Sequence, residues 1–86
     1  MTTEAKTHMT RQLNLYSTSH CHLCELAYSL VLLPGNNNIE VNLIEIAENE
    51  TLLTRYGSRI PVLQRQDTQA ELDWPFNETS IREFLK

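Results

Sequence analysis

Between Gln12 and Ile46 the spacing of apolar side chains changes twice, and this limits the fold more tightly than any other feature of the chain. In QLNLYS, Gln12 to Ser17, Leu13 and Leu15 alternate with polar neighbours and the run ends in Ser and Thr, the pattern of a short strand entering a loop. From His22 the period becomes helical: Leu23, Leu26, Ala27, Leu30 and Val31 fall at the spacing of one helix face. Ser19 is the expected N-cap, and Pro34-Gly35 followed by three asparagines ends the helix. The next run, IEVNLIEI from Ile39 to Ile46, is compact and β-branched and reads as a buried strand. A helix between two strands supplies the crossover that parallel pairing requires, and such crossovers are almost always right-handed.

The second half adds four shorter elements. NETLLTRYG has Asn49 as a cap, Leu52, Leu53 and Tyr56 on one side, and Gly57 as a stop. IPVLQRQ gives a strand from about Pro61, with a turn around Asp67 to Gln69 and AELDW as an antiparallel return. NETSIREFLK closes the chain as a capped helix with Ile81, Phe84 and Leu85 facing inward. The order βαβαββα fits an α/β fold with a four-stranded mixed sheet flanked by three helices better than a looser α+β arrangement. At 86 residues there is material for one core. We expect a polar, flexible leader over residues 1–11 and one domain over residues 12–86.

Composition narrows the partners. A net charge of −4, with seven Lys and Arg residues scattered along the chain, argues against nucleic acid or an anionic membrane, both of which call for a concentrated basic face. The N-terminal MTTEAKTHMT has no apolar run and contains Glu4, unlike a secretory signal, and no segment reaches the roughly 20 apolar residues of a membrane span. The expected location is the cytoplasm.

The two cysteines, Cys21 and Cys24, stand at the junction between the first strand and the first helix, in TSHCHLCEL. In a reducing compartment such a pair near a βαβ pattern is a redox candidate, and a bridge closing so short a loop adds little stability. At the helix start, unpaired backbone N–H groups and the helix dipole favour the thiolate of Cys21, the reactive form of a thiol whose ordinary pKa is about 8.5. Cys24 lies one turn deeper on the same side. This assigns Cys21 as nucleophile and Cys24 as resolving thiol. His20 and His22 would favour the thiolate further if protonated, and neutral His22 can donate a hydrogen bond to substrate; a solvated, passive role is the simpler reading of both. Zinc binding is weaker, because His20, Cys21, His22 and Cys24 are too close in sequence to form a tetrahedron, and the remaining histidine, His8, is in the leader. No resident metal or cofactor is expected.

SRIPVL is the second informative stretch. Pro61 opens a strand that should run beside the cysteine pair, a place where proline is tolerated. We expect a cis Ile60-Pro61 bond, which would present the Ile60 backbone to an extended substrate in strand-like fashion.

Strand, Cys-x-x-Cys at a helix start, a second βα unit, RIPVL and a closing ββα together resemble the glutaredoxins of the thioredoxin superfamily. The likeness runs from Gln12 to Lys86 and is strongest to small bacterial glutaredoxin-like proteins with a YG…IPVL…LDWPF pattern. The resemblance implies a thioredoxin-like fold, a redox pair at Cys21 and Cys24, and the family's cis-proline at Pro61. Two departures stand out. The motif reads Cys-His-Leu-Cys in place of the common Cys-Pro-Tyr-Cys. Where glutaredoxins place a Gly-Gly pair for glutathione, this chain has Asp73-Trp74-Pro75-Phe76-Asn77. Trp74 and Phe76 are expected in the core against the last helix, crowding that site, and the helix start near Asn77 is then the place left for a carboxylate.

The expected activity is thiol-disulfide exchange through a mixed disulfide, on protein or low-molecular-weight disulfides, with glutathione disfavoured. Glutaredoxins have potentials of about −200 to −230 mV and thioredoxin about −270 mV, and this pair is expected within or near that span. The competing readings are a thioredoxin-fold binding or redox-sensing module without turnover, and a metal or iron-sulfur carrier.

Overall fold

The computed structural model describes residues 11–33 and 38–86; the leader up to Thr10 and the proposed Pro34-Gly35 helix end lie outside the described residues. The elements are β1 (Arg11–Ser17), α1 (His22–Val31), β2 (Ile39–Glu45), α2 (Glu50–Tyr56), β3 (Val62–Arg65), β4 (Glu71–Asp73) and α3 (Glu78–Phe84). They form the thioredoxin-like α/β architecture expected from the sequence. The sheet order is β2-β1-β3-β4. β1 and β2 are parallel, with Leu13 opposite Val41 and Leu15 opposite Leu43. β3 runs antiparallel to β1, with Leu15 opposite Leu63, and β4 antiparallel to β3.

Strand alternation gives the sheet two different faces. Leu13, Leu15 and Leu63 point to one side, where they meet Ala27 and Val31 of α1, Ile81 of α3 and Phe76, with Trp74 packed alongside. Trp74 and Phe76 are thus core residues, their rings edge to face at 5.1 Å. Tyr16, Val62 and Ile46 form a second cluster with Tyr56 of α2, flanked by Ile44, Leu52 and Ile60. Tyr16 and Tyr56 stack at 4.0 Å. The buried Gln64 side chain accepts hydrogen bonds from the Tyr16 hydroxyl at 2.8 Å and from Asn14 at 3.1 Å. Tyr56 donates to Glu71 at 2.6 Å, and Arg59 spans Glu71 and Asp73 at 2.7 and 2.8 Å. Burial together with the Glu71 carboxylate pushes the Tyr56 pKa upward. Among the described residues no buried side-chain nitrogen or oxygen lacks a partner, so this polar face carries no uncompensated desolvation.

Three expectations need correction. β2 is an edge strand, half-buried to exposed throughout, because the chain adds β3 on the other side of β1; Leu43 is 55% exposed. The buried stripe of α1 is Cys24, Ala27 and Val31, with Leu30 half-buried, while Leu23 and Leu26 are 45% and 44% exposed. The smaller side chains are the ones that face the sheet. On α2 only Tyr56 is fully buried; Leu52 is half-buried and Leu53 exposed. Gly57 does end α2 as expected, in a right-handed conformation with φ −52°, where a Cβ would sit 2.5 Å from the Leu53 carbonyl oxygen.

Candidate functional site

The carboxyl end of β1 leads into a short loop, Thr18 to His20, and then into α1. Residue Glu45 at the end of β2 holds this loop: its carboxylate accepts from the Thr18 hydroxyl at 2.7 Å and from the Ala47 N–H at 2.9 Å. The Thr18 bond first, then the Ala47 bond, lowers the Glu45 pKa from its ordinary value. The Ser17 carbonyl accepts from the Ile46 N–H at 3.1 Å, fixing the residue that enters the loop. His20 adopts a left-handed φ of 59°, a conformation in which histidine is found more often than most residues. The chain thereby reverses directly before Cys21.

Cys21, not Ser19, is the N-cap of α1. Its backbone is extended (φ −108°, ψ 101°), its carbonyl accepts from the Glu25 N–H at 3.2 Å, and its Sγ accepts from the Cys24 N–H at 3.1 Å. Serine two residues earlier is displaced from this role because the loop consumes those residues in turning toward the helix. Cys21 and Cys24 are joined by a disulfide with a Cα–Cα distance of 5.2 Å. Cys24 is buried on the sheet side of the helix and Cys21 is half-buried. The outer sulfur is therefore the one an incoming reactant meets first.

The other proposed site residues fall on different sides of this pair. Tyr16 pairs with Val62, so Pro61 lies beside Ser17 at the end of β1, fully buried, and the Ile60-Pro61 bond is cis. A second cis bond joins Trp74 and Pro75. The Ile60 N–H is already donated to the Tyr56 carbonyl at 3.0 Å, and the Pro61 carbonyl accepts from the Trp74 N–H at 3.2 Å. An extended substrate would thus meet the Ile60 carbonyl rather than both Ile60 backbone groups. His22 is exposed on the first turn of α1. The start of α3 is closed by its own side chains: Asn77 accepts from the Ser80 N–H at 2.9 Å, and the Ser80 hydroxyl accepts from the Asn77 N–H at 2.7 Å. The carboxylate site expected there is occupied by this capping box.

A cavity of about 170 Å³ opens on the side of the disulfide facing β2. Ser17, Thr18, Ser19 and His20 line it along the loop, Cys21, Cys24, Glu25 and Tyr28 along α1, and Leu43 along β2. Glu25, Tyr28 and Leu43 were not among the residues expected at the site. The signal was available: residues 21, 25 and 28 stand at i, i+4 and i+7, on one stripe of a helix. Among the described residues no group of three or more His, Cys, Asp or Glu side chains is placed to hold a metal ion, and no helix is long and apolar enough to cross a membrane.

Comparison with known proteins agrees with this fold. The protein XcR50 from X. campestris, solved by X-ray crystallography, is 33% identical and superposes with a TM-score of 0.75 over 85% of this chain and 93% of that one. Protein Ne2328 from Nitrosomonas europaea, solved by NMR, is also 33% identical, with a TM-score of 0.72 over 90% and 93% of the two chains. Thioredoxin O2 from Arabidopsis thaliana in its oxidized state, at 15% identity, shares the fold with a TM-score of 0.59 over 96% of this chain and 78% of that one. No curated protein matches. The family described as Glutaredoxin-like domain (DUF836) matches residues 12–86, and the chain belongs to that family.

Proposed function

We propose that this protein is a thiol-disulfide oxidoreductase of a reducing compartment, the cytoplasm, and that it turns over through the Cys21/Cys24 dithiol. The observation that carries the reading is the position of the pair: Cys21 Sγ caps a ten-residue helix and accepts the Cys24 N–H, while Cys24 is buried one turn behind it. In the reduced protein the same N–H and the helix dipole stabilise a thiolate on Cys21. That thiolate attacks a substrate disulfide, forming a bond between Cys21 Sγ and one substrate sulfur while the other leaves as a thiolate. Cys24 then loses its proton and attacks Cys21 Sγ, releasing the second substrate sulfur. The substrate gains two electrons and the protein ends as the disulfide described above. A small thiol or a protein dithiol restores it.

In this reading Ile60 and Pro61 receive the substrate chain from the β3 side, the Ile60 carbonyl being the backbone group left to pair with it, and the exposed His22 contacts the substrate from the first turn of α1. Cys24→Ser removes the resolving step. Mixed with hydroxyethyl disulfide, this variant is expected to accumulate an adduct of one mercaptoethanol on Cys21, seen by intact mass, whereas the wild type proceeds to its internal disulfide. No adduct on Cys24→Ser and no internal disulfide in the wild type would contradict the proposal.

A further inference from the structure

The cavity beside the disulfide has a composition that selects among substrates. Along α1 it is lined by Cys21, then by Glu25 one turn on, then by Tyr28, with Leu43 opposite on β2 and His20 on the loop. Among the described residues neither the Glu25 carboxylate nor the Tyr28 hydroxyl has a hydrogen-bond or ion-pair partner, and both residues are exposed. Glu45, held by Thr18 at the loop, adds a second negative charge nearby. Among the described residues no lysine or arginine lines the cavity. A carboxylate one turn from a nucleophilic sulfur opposes the thiolate, so activating Cys21 does not account for it. An acidic residue in the first turn does favour the helix dipole, but that role is indifferent to which disulfide is being reduced.

Resting on the oxidoreductase reading above, we infer that the cavity is a specificity pocket for disulfides carrying a cation close to the sulfur, held by the Glu25 carboxylate and the face of Tyr28. A carboxylate beside an aromatic ring is a recurrent arrangement for ammonium and guanidinium groups, because the ring quadrupole and the anion attract the same charge. Leu43 accommodates the short methylene link between sulfur and cation. A glutathionyl group carries two carboxylates against a single ammonium, which sits at the far end of its γ-glutamyl arm and not close to the sulfur, and its net negative charge disfavours it here. The exchange itself is unchanged: Cys21 Sγ bonds to the sulfur next to the cation, the partner sulfur leaves as a thiolate, and Cys24 completes the transfer. Such a cation comes either from a small aminothiol disulfide or from a lysine adjacent to a protein cysteine.

The test is a single-turnover measurement on the reduced full chain at pH 8, above the ordinary histidine range. Formation of the Cys21–Cys24 disulfide is followed by acid quench and intact mass with cystamine, hydroxyethyl disulfide, oxidised glutathione and the disulfide dimer of Gly-Lys-Cys-Gly. The readout is the ratio of the cystamine rate to the hydroxyethyl disulfide rate, which cancels any change in the nucleophile. Glu25→Gln is expected to lower that ratio by about three- to tenfold, Glu25→Lys to lower it further while raising the relative rate with oxidised glutathione, and Tyr28→Leu to lower it less than Glu25→Gln. Raising the salt should shrink the wild-type ratio. Glu83→Gln, the same charge change at the far end of α3, should leave the ratio where it was. A Glu25-dependent rate with the lysine peptide assigns the pocket to protein disulfides, and dependence confined to cystamine assigns it to small aminothiols. A ratio equal in wild type, Glu25→Gln and Glu25→Lys would overturn the pocket while leaving the oxidoreductase intact. Absence of reaction with every disulfide, the neutral one included, would overturn both.

Discussion

The N-termini of α1 and α3 meet the same physical demand in different ways. Every helix start leaves backbone N–H groups without intrahelical partners. At α3 the demand is met by an amide and a hydroxyl, Asn77 and Ser80, which bond to each other's backbone and have no further chemistry. At α2 Asn49 does the same alone, accepting from the Leu52 N–H at 3.1 Å. At α1 the capping atom is the Cys21 sulfur, which can exchange its bond to Cys24 for a bond to something else. A structural hydrogen bond and a reactive atom thus coincide at one helix start and are kept apart at the others.

Substituting the caps separates the two roles. The largest effect is expected from Cys21→Ser, since serine is as good a cap as any but cannot form a disulfide: exchange with hydroxyethyl disulfide should fall to background, while thermal stability stays within about 1 kcal/mol of the reduced wild type. A large loss of stability would mean that the sulfur holds the helix in a way a hydroxyl cannot. Asn77→Ala is the converse. It should cost about 1 kcal/mol, read as a shift in the denaturant midpoint, with exchange per folded molecule retained. Lost exchange in that variant would couple the α3 cap to the cysteine pair.

Acid should produce the smallest effect. Glu71 is held below its ordinary value of 4.5 by the Tyr56 hydroxyl first and Arg59 second, and Asp73 below 3.8 by Arg59. Because the folded-state values are the lower ones, the stability these groups contribute is complete above about pH 4.5 and is lost as the pH falls through the folded values. The pairs stand partly in solvent, so the contribution is at most about 1 kcal/mol. Replacing Arg59 with Met should flatten the fall in stability as the pH drops below about 4.5, because the two carboxylates then lose the partner that holds their folded values down, and leave exchange chemistry at pH 7 intact.

The elements were legible wherever a period and a stop signal agreed. The change from alternating leucines to a helical stripe located β1 and α1, and Asn49 and Asn77 cap α2 and α3 as their positions suggested. What was not legible depended on which face is covered. Leu23 and Leu26 satisfy the helical template as well as Cys24, Ala27 and Val31 do, and hydrophobicity alone favoured the leucines; the short side chains are the ones turned to the sheet. The edge position of β2 follows from β3 adding to the far side of β1, a long-range choice that no local run of residues records. Within the site, the cysteine pair and the cis Pro61 bond were readable from motifs, whereas the Glu25, Tyr28 and Leu43 cavity required two elements to be brought together.

The central claim is that Cys21 and Cys24 form a reversible two-electron couple. It is tested most directly by equilibrating the protein in glutathione buffers of graded potential and measuring the fraction of internal disulfide by intact mass after alkylation. The account predicts one two-electron transition within or near about −200 to −270 mV, the span of glutaredoxins and thioredoxin. A pair that stays fully reduced or fully oxidised across every accessible buffer would contradict it.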